Sequence, residues 1–209
     1  MIVDEWVLNL VRNKDVLDLG ALGNWRDNLK KNNLDNWSFL KIFQESRTAL
    51  GIDLDKTGVD FANKHGFTNI IYGNAEKIDL NKKFDVIIAG DIIEHVDNMG
   101  SFLNSCKKHM HRNSIMLIST PNPYALNFIF WSLFSDVGNR IQPEHTSCLH
   151  EKNLRVLLDR ADLRVTNIRY YTIIDKRSLR LKLTSRLIKF IGSFRKQLNQ
   201  AYMVEIMLK

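Results

Sequence analysis

The sequence predicts an α/β protein in which a doubly wound, mostly parallel sheet carries helices on both faces. Short apolar runs typical of buried parallel strands alternate with segments of helical periodicity along the 209 residues. That alternation indicates right-handed crossovers between neighbouring parallel strands. The clearest runs, at 15–20 (DVLDLG) and 84–90 (FDVIIAG), both end in glycine, a residue that lets a ligand approach the backbone closely.

The other elements follow from the same patterns. Helices are predicted over 3–12, 37–43, 55–65, 101–110 and 151–161, the third of them stopped by Gly66. Further strands are predicted over 48–53, 69–72, 114–119, 164–174 and 201–208. We therefore expect a seven-stranded sheet in one domain spanning 1–209, with the last strand pair providing an antiparallel edge.

In doubly wound sheets the ligand binds at the carboxyl ends of the strands. Gly20 and Ala21 follow the first strand, although the GxGxxG fingerprint is absent and a simple tight turn is the alternative. Asp53 ends the second strand, where a carboxylate can accept both hydroxyls of a ribose. It could instead cap the next helix, although Asp55 is better placed to do so. Asn74, after the third strand, could read the edge of a purine or belong to a polar turn.

The fourth strand is followed by three ionisable residues, Asp91, Glu94 and His95. A helix beginning there would bring them onto one face. They could also be acids that favour a helix start through the macrodipole. His145, in the Pro-Glu-His stretch after the fifth strand, is either a contributor to a site or an ordinary surface histidine.

Taken together, the sequence resembles the class I S-adenosylmethionine-dependent methyltransferases over nearly its whole length. The matching segments, in order, are VLDLGALGN, ALGIDLD, YGNAEKIDL, FDVIIAGDIIEHVDN, LISTPNPYALN and PEHTSCLHEKNLRVLLDRADL. Within the class it is most similar to bacterial and archaeal enzymes associated with surface-glycan synthesis, which share the glycine-poor first loop and the TPNP and PEH stretches. The resemblance implies a Rossmann-like methyltransferase fold and S-adenosyl-L-methionine as the cofactor.

The resemblance also implies which residues hold the cofactor. Gly20 and Ala21 would line its methionine part, Asp53 its ribose and Asn74 its adenine. The full set is Asp18, Gly20, Ala21, Asp53, Leu54, Asn74, Ala75, Gly90 and Asp91, of which the last two flank the sulfonium. The chain departs from the usual DxGxGxG pattern at Leu22 and Asn24, and Asn74 stands where aspartate is usual.

The expected reaction is methylation of a small-molecule or glycan hydroxyl, with a sugar hydroxyl favoured. A base assists such a transfer, and His145 and His95 are the candidates because histidine titrates near neutral pH. The Glu-x-x-Glu-His…His metal set of small-RNA 2′-O-methyltransferases, which some quinone-pathway O-methyltransferases resemble, has a counterpart in Asp91, Glu94, His95 and His145. These ligand types suit Mg, Mn or Zn, although a metal-free site is the favoured expectation.

Several alternatives stay open at this point. A nicotinamide dehydrogenase is disfavoured, because GxGxxG is missing and Gly20 and Asp53 lie further apart than the ~20 residues usual there. The irregular first loop also fits a non-catalytic domain that kept the fold. An RNA methyltransferase is a third alternative, although stacking platforms are not evident. The apolar segment 124–134 is either a cap on the acceptor side or a core or dimer helix.

The net charge of +7 comes from one segment. Residues 176–200 hold eight bases and no acid, whereas the rest of the chain has 22 bases and 23 acids. A nucleic-acid partner is therefore not expected. Cys106 and Cys148 form no CxxC pair, which argues against a disulfide framework or structural zinc. Without a signal-peptide pattern or an apolar run of ~20 residues, we expect a cytoplasmic protein, peripheral at most to the inner membrane face.

The basic insertion, between the last two strands, predicts an amphipathic helix over 178–199. Its apolar stripe would consist of Leu183, Leu187, Ile191, Phe194 and Leu198, with Lys182, Arg186, Lys189 and Lys196 alongside. One hypothesis is that this helix brings the protein to an anionic or lipid-linked substrate. The other is a crossover helix that packs its stripe on the sheet and leaves its bases in water.

Overall fold

A computed structural model describes residues 1–23, 25, 34–134 and 143–209, with only the backbone described for 35, 131 and 134. The helices are α1 (Glu5–Val11), α2 (Ser38–Glu45), α3 (Lys56–Lys64), α4 (Met99–Lys108), α5 (Leu126–Phe134), α6 (Glu151–Arg160) and α7 (Leu179–Phe194). The strands are β1 (Asp15–Leu19), β2 (Thr48–Asp53), β3 (Ile70–Tyr72), β4 (Phe84–Gly90), β5 (Met110–Pro121), β6 (Leu163–Tyr171) and β7 (Ala201–Leu208).

All seven strands form one sheet in the order β3-β2-β1-β4-β5-β7-β6. From β1 the chain first builds outward through β2 and β3, and it then returns to place β4 on the other side of β1. β7 runs antiparallel to both β5 and β6. The expected seven-stranded mixed sheet with an antiparallel strand at one edge is therefore confirmed. The antiparallel strand lies one place in from the end, because β7 inserts between β5 and β6.

Alternating side chains of the central strands build a core on each face of the sheet. On one face, Val16 of β1 and Ile88 of β4 pack in a buried cluster that includes side chains from α1, α2 and α3. On the other, Leu17 and Ile87 pack in a cluster that includes side chains from α4 and α6. Because both faces are covered, the carboxyl edge of the sheet is the surface left for a ligand.

No α-helix begins at Asp91, whereas the helix predicted over 101–110 is present as α4. Only a 3-10 turn, Ile93–His95, follows the strand, and the long helix α4 begins at Met99. Asp91 has a left-handed backbone conformation with φ 53°, which interrupts any helix there. Asn98 provides the later start, because its side chain accepts a hydrogen bond from the Ser101 amide.

Helices α5 and α7 each had two predicted alternatives, and the structure excludes one alternative for each helix. The basic insertion forms α7 and then a separate 3-10 turn, Lys196–Leu198, rather than one helix to 199. Leu183 and Leu187 are exposed, so the prediction that this stripe packs on the sheet is wrong. In α5, Leu133 is exposed as well, which rules out a core helix. Among the described residues, no helix has both the length and the apolar character needed to cross a bilayer.

Candidate active site

A cavity of about 960 Å³ opens at the carboxyl ends of the strands, around the point where β1 separates β2 from β4. This volume lies in the range typical of small-molecule sites. Every residue that the sequence suggested for a cofactor, a base or a metal lines it: Asp18, Gly20, Ala21, Asp53, Leu54, Asn74, Ala75, Gly90, Asp91, Glu94, His95 and His145. Residues distant in the sequence therefore share one site.

The first loop forms a tight turn although it lacks two of the usual glycines. Gly20 has φ 74°, a conformation that glycine adopts without strain. Its amide donates to the carbonyl of Ile52 at 2.8 Å. The indole of Trp37 donates to the carbonyl of Ala21 at 2.8 Å and holds the loop from the outside. At Gly51 a β-carbon would lie 2.7 Å from that of Ala21, so this close approach of loop and strand requires glycine.

Asp53 joins the second strand to the first loop. Its Oδ2 accepts from the amide of Leu22 at 3.0 Å, and its Oδ1 accepts from the amide of Asp55 at 2.9 Å. Each carboxylate oxygen can accept a further hydrogen bond. Asp55 caps α3 by accepting from the amide of Gly58 at 3.0 Å, which confirms that Asp53 is not the helix cap.

Asp18 lies beneath the cavity and is only 5% exposed. Burial raises the pKa of its carboxyl group to about 8, and the negative charge of Asp53 contributes. Ionising Asp18 in the ligand-free protein is therefore costly. A buried carboxyl group that lines a cavity and whose ionisation is unfavourable is a candidate binding group.

Asp18→Asn should stabilise the ligand-free protein increasingly as the pH rises. The folded-state pKa exceeds the unfolded one, so the stability that the Asp18 proton provides is lost between about pH 4 and pH 8. Asparagine does not ionise, and at pH 8 the variant should be more stable by a few kcal/mol, at 1.36 kcal/mol per pKa unit. Urea unfolding at pH 5 and pH 8 measures this, with the exposed Asp60→Asn as control. Parallel pH dependences for wild type and Asp18→Asn would refute the burial argument.

Asn74 and Glu76 link the third and fourth strand ends. The side-chain oxygen of Asn74 accepts from the amide of Glu76 at 2.8 Å, so this oxygen belongs to the turn. The Glu76 carboxylate accepts from the amides of Asp97 and Asn98, both at 3.0 Å. Sequence patterns did not single out Glu76, because a carboxylate that bridges two loops has no local signature.

Asp91 is held in its left-handed conformation by the neighbouring strand. Its Oδ1 accepts from the hydroxyl of Ser119 at 2.6 Å, and its amide donates to the Ser119 carbonyl at 3.0 Å. The amino group of Met1 contacts its other carboxylate oxygen. A non-glycine residue in this conformation is typically found where the surrounding structure imposes it, often at a functional site. Ser119 was not predicted, since only the pairing of β4 with β5 brings it to Asp91.

Glu94, His95 and His145 form a cluster in the lining of the cavity. The imidazole rings of His95 and His145 lie 4.6 Å apart, nearly perpendicular to each other. Thr146 fixes the loop that carries His145, because its amide donates to the carbonyl of Glu94 at 2.8 Å. Burial, together with the positive charge of His95, lowers the pKa of His145. His145 is therefore neutral, and able to accept a proton, at physiological pH.

Glu94 is 1% exposed, and neither of its carboxylate oxygens has a hydrogen-bond partner among the described residues. Burial raises its pKa to about 7, and the charge of Asp91 adds to the effect. Each residue of the cluster offers one ligand atom, and these atoms lie within 4.8 Å of one another. Among the described residues, three members of the predicted four-residue metal set thus have clustered ligand atoms, while Oδ1 of the fourth, Asp91, accepts from Ser119.

Known proteins resemble the chain in sequence. The family model for the methyltransferase domain matches residues 3–168. The ubiquinone biosynthesis O-methyltransferase of Pelagibacter ubique is 31% identical over 88 residues, 40% of this chain and 37% of that protein. Its namesake in Rhodopseudomonas palustris (strain TIE-1) is 36% identical over 78 residues, 35% of this chain and 31% of that protein. The aligned segments thus span about a third of these relatives. None of these names supports the expected link to glycan synthesis, which stays a prediction.

Solved structures share the fold. An S-adenosylmethionine-dependent methyltransferase from Archaeoglobus fulgidus superposes with a TM-score of 0.65 at 21% identity, over 98% of this chain and 90% of that one. Magnesium protoporphyrin IX methyltransferase from Synechocystis, solved with S-adenosylhomocysteine, gives 0.59 at 11% identity, over 98% and 79%. The dehydrogenase and non-catalytic alternatives receive no support from these matches. Since the family model spans most of the chain, the protein belongs to the methyltransferase domain family.

Proposed function

We propose that the protein transfers the methyl group of S-adenosylmethionine to a hydroxyl group of a small molecule. The observation that carries this proposal is that one cavity is lined both by the carboxyl ends of four strands and by His145. When bound, the cofactor supplies a methyl group already activated on a sulfonium. The chain's own residues then have to align the acceptor, exclude water and take up a proton.

The shape and polarity of the cavity fit the cofactor roles predicted from the sequence. The turn at Gly20 and Ala21 exposes backbone where the methionine part would lie, and Asp53 keeps accepting capacity for the ribose hydroxyls. Asn74 and Ala75 border the region proposed for the adenine, with Leu54 also lining the cavity. Gly90 and Asp91 line the same cavity as the histidines, and this is consistent with their proposed position beside the sulfonium.

His145 is the proposed general base, with His95 as the second candidate. Its lowered pKa keeps it neutral but makes it a weak base. A weak base works best on an acidic hydroxyl, and a phenol, with a pKa near 10 as in tyrosine, is more acidic than a sugar hydroxyl. The names of the relatives, which refer to O-methylation in ubiquinone biosynthesis, point the same way. We therefore place a phenolic, quinone-type acceptor ahead of the glycan hydroxyl predicted from the sequence.

A transfer assay with methyl-labelled S-adenosylmethionine tests the acceptor class directly. The acceptors are a simple catechol, a prenylated phenol, a lipid-linked glycan and total RNA. We expect label in the phenols. Label in the glycan alone would restore the sequence-based expectation, and label in RNA alone would restore the RNA alternative. A protein that binds the cofactor but labels none of these pools would contradict the proposed acceptor.

The cluster of Glu94, His95 and His145 supports a second candidate mechanism, assisted by a divalent metal. A buried carboxylate with no hydrogen-bond partner in the described part of the chain, beside two imidazoles, is a donor set that suits Mn or Zn. Such an ion would lower the pKa of an acceptor hydroxyl bound to it. With such a metal, the same site could also methylate a less acidic hydroxyl, such as that of a sugar.

Chelation distinguishes the two mechanisms. With His145 as a simple base, EDTA treatment followed by dialysis should leave turnover within about twofold of the untreated enzyme. In the metal-assisted mechanism, EDTA removes activity, and Mn²⁺ or Zn²⁺ restores it to the wild type but not to Glu94→Gln. Titration calorimetry of Zn²⁺ into both proteins provides the readout without turnover, and the absence of a Glu94-dependent site would refute metal binding by this cluster.

A further inference from the structure

Helix α7 is attached to the rest of the protein through its small residues. Ser185 and Gly192 are buried, and the hydroxyl of Ser185 accepts from the amide of Asp175 at 3.1 Å. Asn199 packs against Gly192 so closely that a β-carbon there would lie 2.5 Å from its Nδ2. The same amide donates to the Gly192 carbonyl at 3.1 Å, and its oxygen accepts from the hydroxyl of Thr172 at 2.8 Å. Hydrogen bonds and the close packing of small residues therefore determine which face of the helix contacts the protein.

The large apolar side chains of α7 point away from these contacts. Five of them, each 55–73% exposed, recur every three or four residues: Leu179, Leu183, Leu187, Phe190 and Phe194. This spacing aligns them along one face of the helix. Two members of the stripe predicted from the sequence, Ile191 and Leu198, are partly buried instead. The exposed stripe thus differs from the predicted one and runs the full length of the helix.

Bases flank the exposed stripe. At 100° per residue, Lys182, Arg186 and Lys189 fall along one side of it. No acid occurs between 176 and 200, so nothing in this segment offsets their charge. An apolar face bordered by Lys and Arg is the composition of helices that lie in the interface of an anionic membrane.

We propose that α7 docks on an anionic lipid bilayer. The five apolar side chains would enter the boundary between headgroups and acyl chains, and the flanking bases would bind lipid phosphates. A helix of 16 residues bordered by charges would lie along the surface. An anionic bilayer matches both features at once, whereas an acidic polymer would leave the Leu and Phe side chains exposed.

The docked helix is tied to the candidate active site through β5. The side-chain amide of Asn122 donates to the carbonyls of Gln197 and Asn199, at 2.6 and 2.7 Å. Asn122 directly follows Pro121, which ends β5 and lines the cavity. A bilayer bound to α7 would therefore lie close to the cavity, so that a lipid-soluble acceptor could reach it. The docking proposal does not depend on which acceptor is methylated, because α7 is a surface that the proposed reaction does not use.

Vesicle flotation tests the proposal without any turnover. The full-length protein is mixed at low salt with neutral phosphatidylcholine vesicles or with vesicles containing one quarter phosphatidylglycerol. We expect it to float with the anionic vesicles only. Leu187→Ser with Phe190→Ser should abolish flotation. Lys182→Gln, Arg186→Gln and Lys189→Gln together should weaken binding about 100-fold, since each of the three bases near an acidic surface contributes roughly fivefold.

The matched control removes three exposed bases outside α7: Lys77→Gln, Arg112→Gln and Lys152→Gln. It has the same net charge as the α7 base variant and should float like the wild type. All variants should keep the wild-type circular dichroism and affinity for S-adenosylmethionine, which separates docking from the proposed catalysis. Equal flotation with neutral and anionic vesicles, flotation lost equally in the control, or a dimer that Leu187→Ser and Phe190→Ser dissociate would overturn the proposal.

Discussion

His145→Ala should lower kcat by about 10²- to 10⁴-fold, the usual cost of losing a positioned general base. The loop from Pro143 onward brings this side chain to the cavity, where the ring of His95 and the Thr146 hydrogen bond to the Glu94 carbonyl fix its place. The affinity for S-adenosylmethionine should stay within about twofold, because the proposed cofactor contacts lie on other loops. Single-turnover assays on a phenolic acceptor, with calorimetry of cofactor binding, measure the two effects separately.

The control for this substitution is His65→Ala, which removes an exposed histidine at the end of α3. It should retain wild-type turnover. Added imidazole should partly restore activity to His145→Ala, because a diffusing base can occupy the vacated space. Full activity in His145→Ala would show that the proton is taken elsewhere. His95→Ala would then be the variant expected to lose turnover.

Asp53→Ala should weaken S-adenosylmethionine binding at least tenfold, and about 100-fold if both ribose hydroxyls bind its carboxylate. A hydrogen bond to a charged group contributes roughly 1.5–3 kcal/mol. Asp53 also accepts from the amides of Leu22 and Asp55, so its loss loosens the first loop as well. Titration calorimetry with S-adenosylmethionine and S-adenosylhomocysteine should show similar losses, because both carry the same ribose.

Two further variants separate the ribose contact from the structural role of Asp53. Asp60→Ala removes an exposed carboxylate on α3 and should bind the cofactor normally. Asp53→Asn keeps one acceptor for the loop amides but loses the charge, so it should fall between wild type and Asp53→Ala. If Asp53→Ala folds and its affinity is unchanged, the ribose lies elsewhere in the cavity.

The strands along the chain, and the polar residues at their ends, could be predicted from local patterns. Buried parallel strands have distinctive apolar runs, and the polar residues that follow them, such as Asp53 and Asn74, stand out against those runs. The rule that ligands bind at the carboxyl ends then gathered these residues correctly into one cavity. Asp55 was recognised as a helix cap for the same reason, since capping depends on residues three positions apart.

Contacts between distant segments could not be predicted in this way. Ser119 donates to Asp91, and Glu76 bridges two loops, only because strands and loops that are distant in sequence pack together. The same is true of the burial of Glu94, whose carboxylate has no hydrogen-bond partner among the residues that the structure describes. The one-face arrangement of Asp91, Glu94 and His95 on a helix does not form, because pairing with β5 holds Asp91 in a left-handed conformation. In the basic segment, periodicity predicted a helix but not which side of it faces the protein.

The sequence by itself thus determined the α/β class, the site at the strand ends and the basic charge of the last insertion, because each depends on residue type and spacing along a short stretch of chain. Only the tertiary structure decided which of these groups touch and which face of α7 is exposed. The apolar stripe of that helix would favour the core by hydrophobicity alone. The small-residue contacts of Ser185 and Gly192, made with Asp175 and Asn199, turn it outward instead.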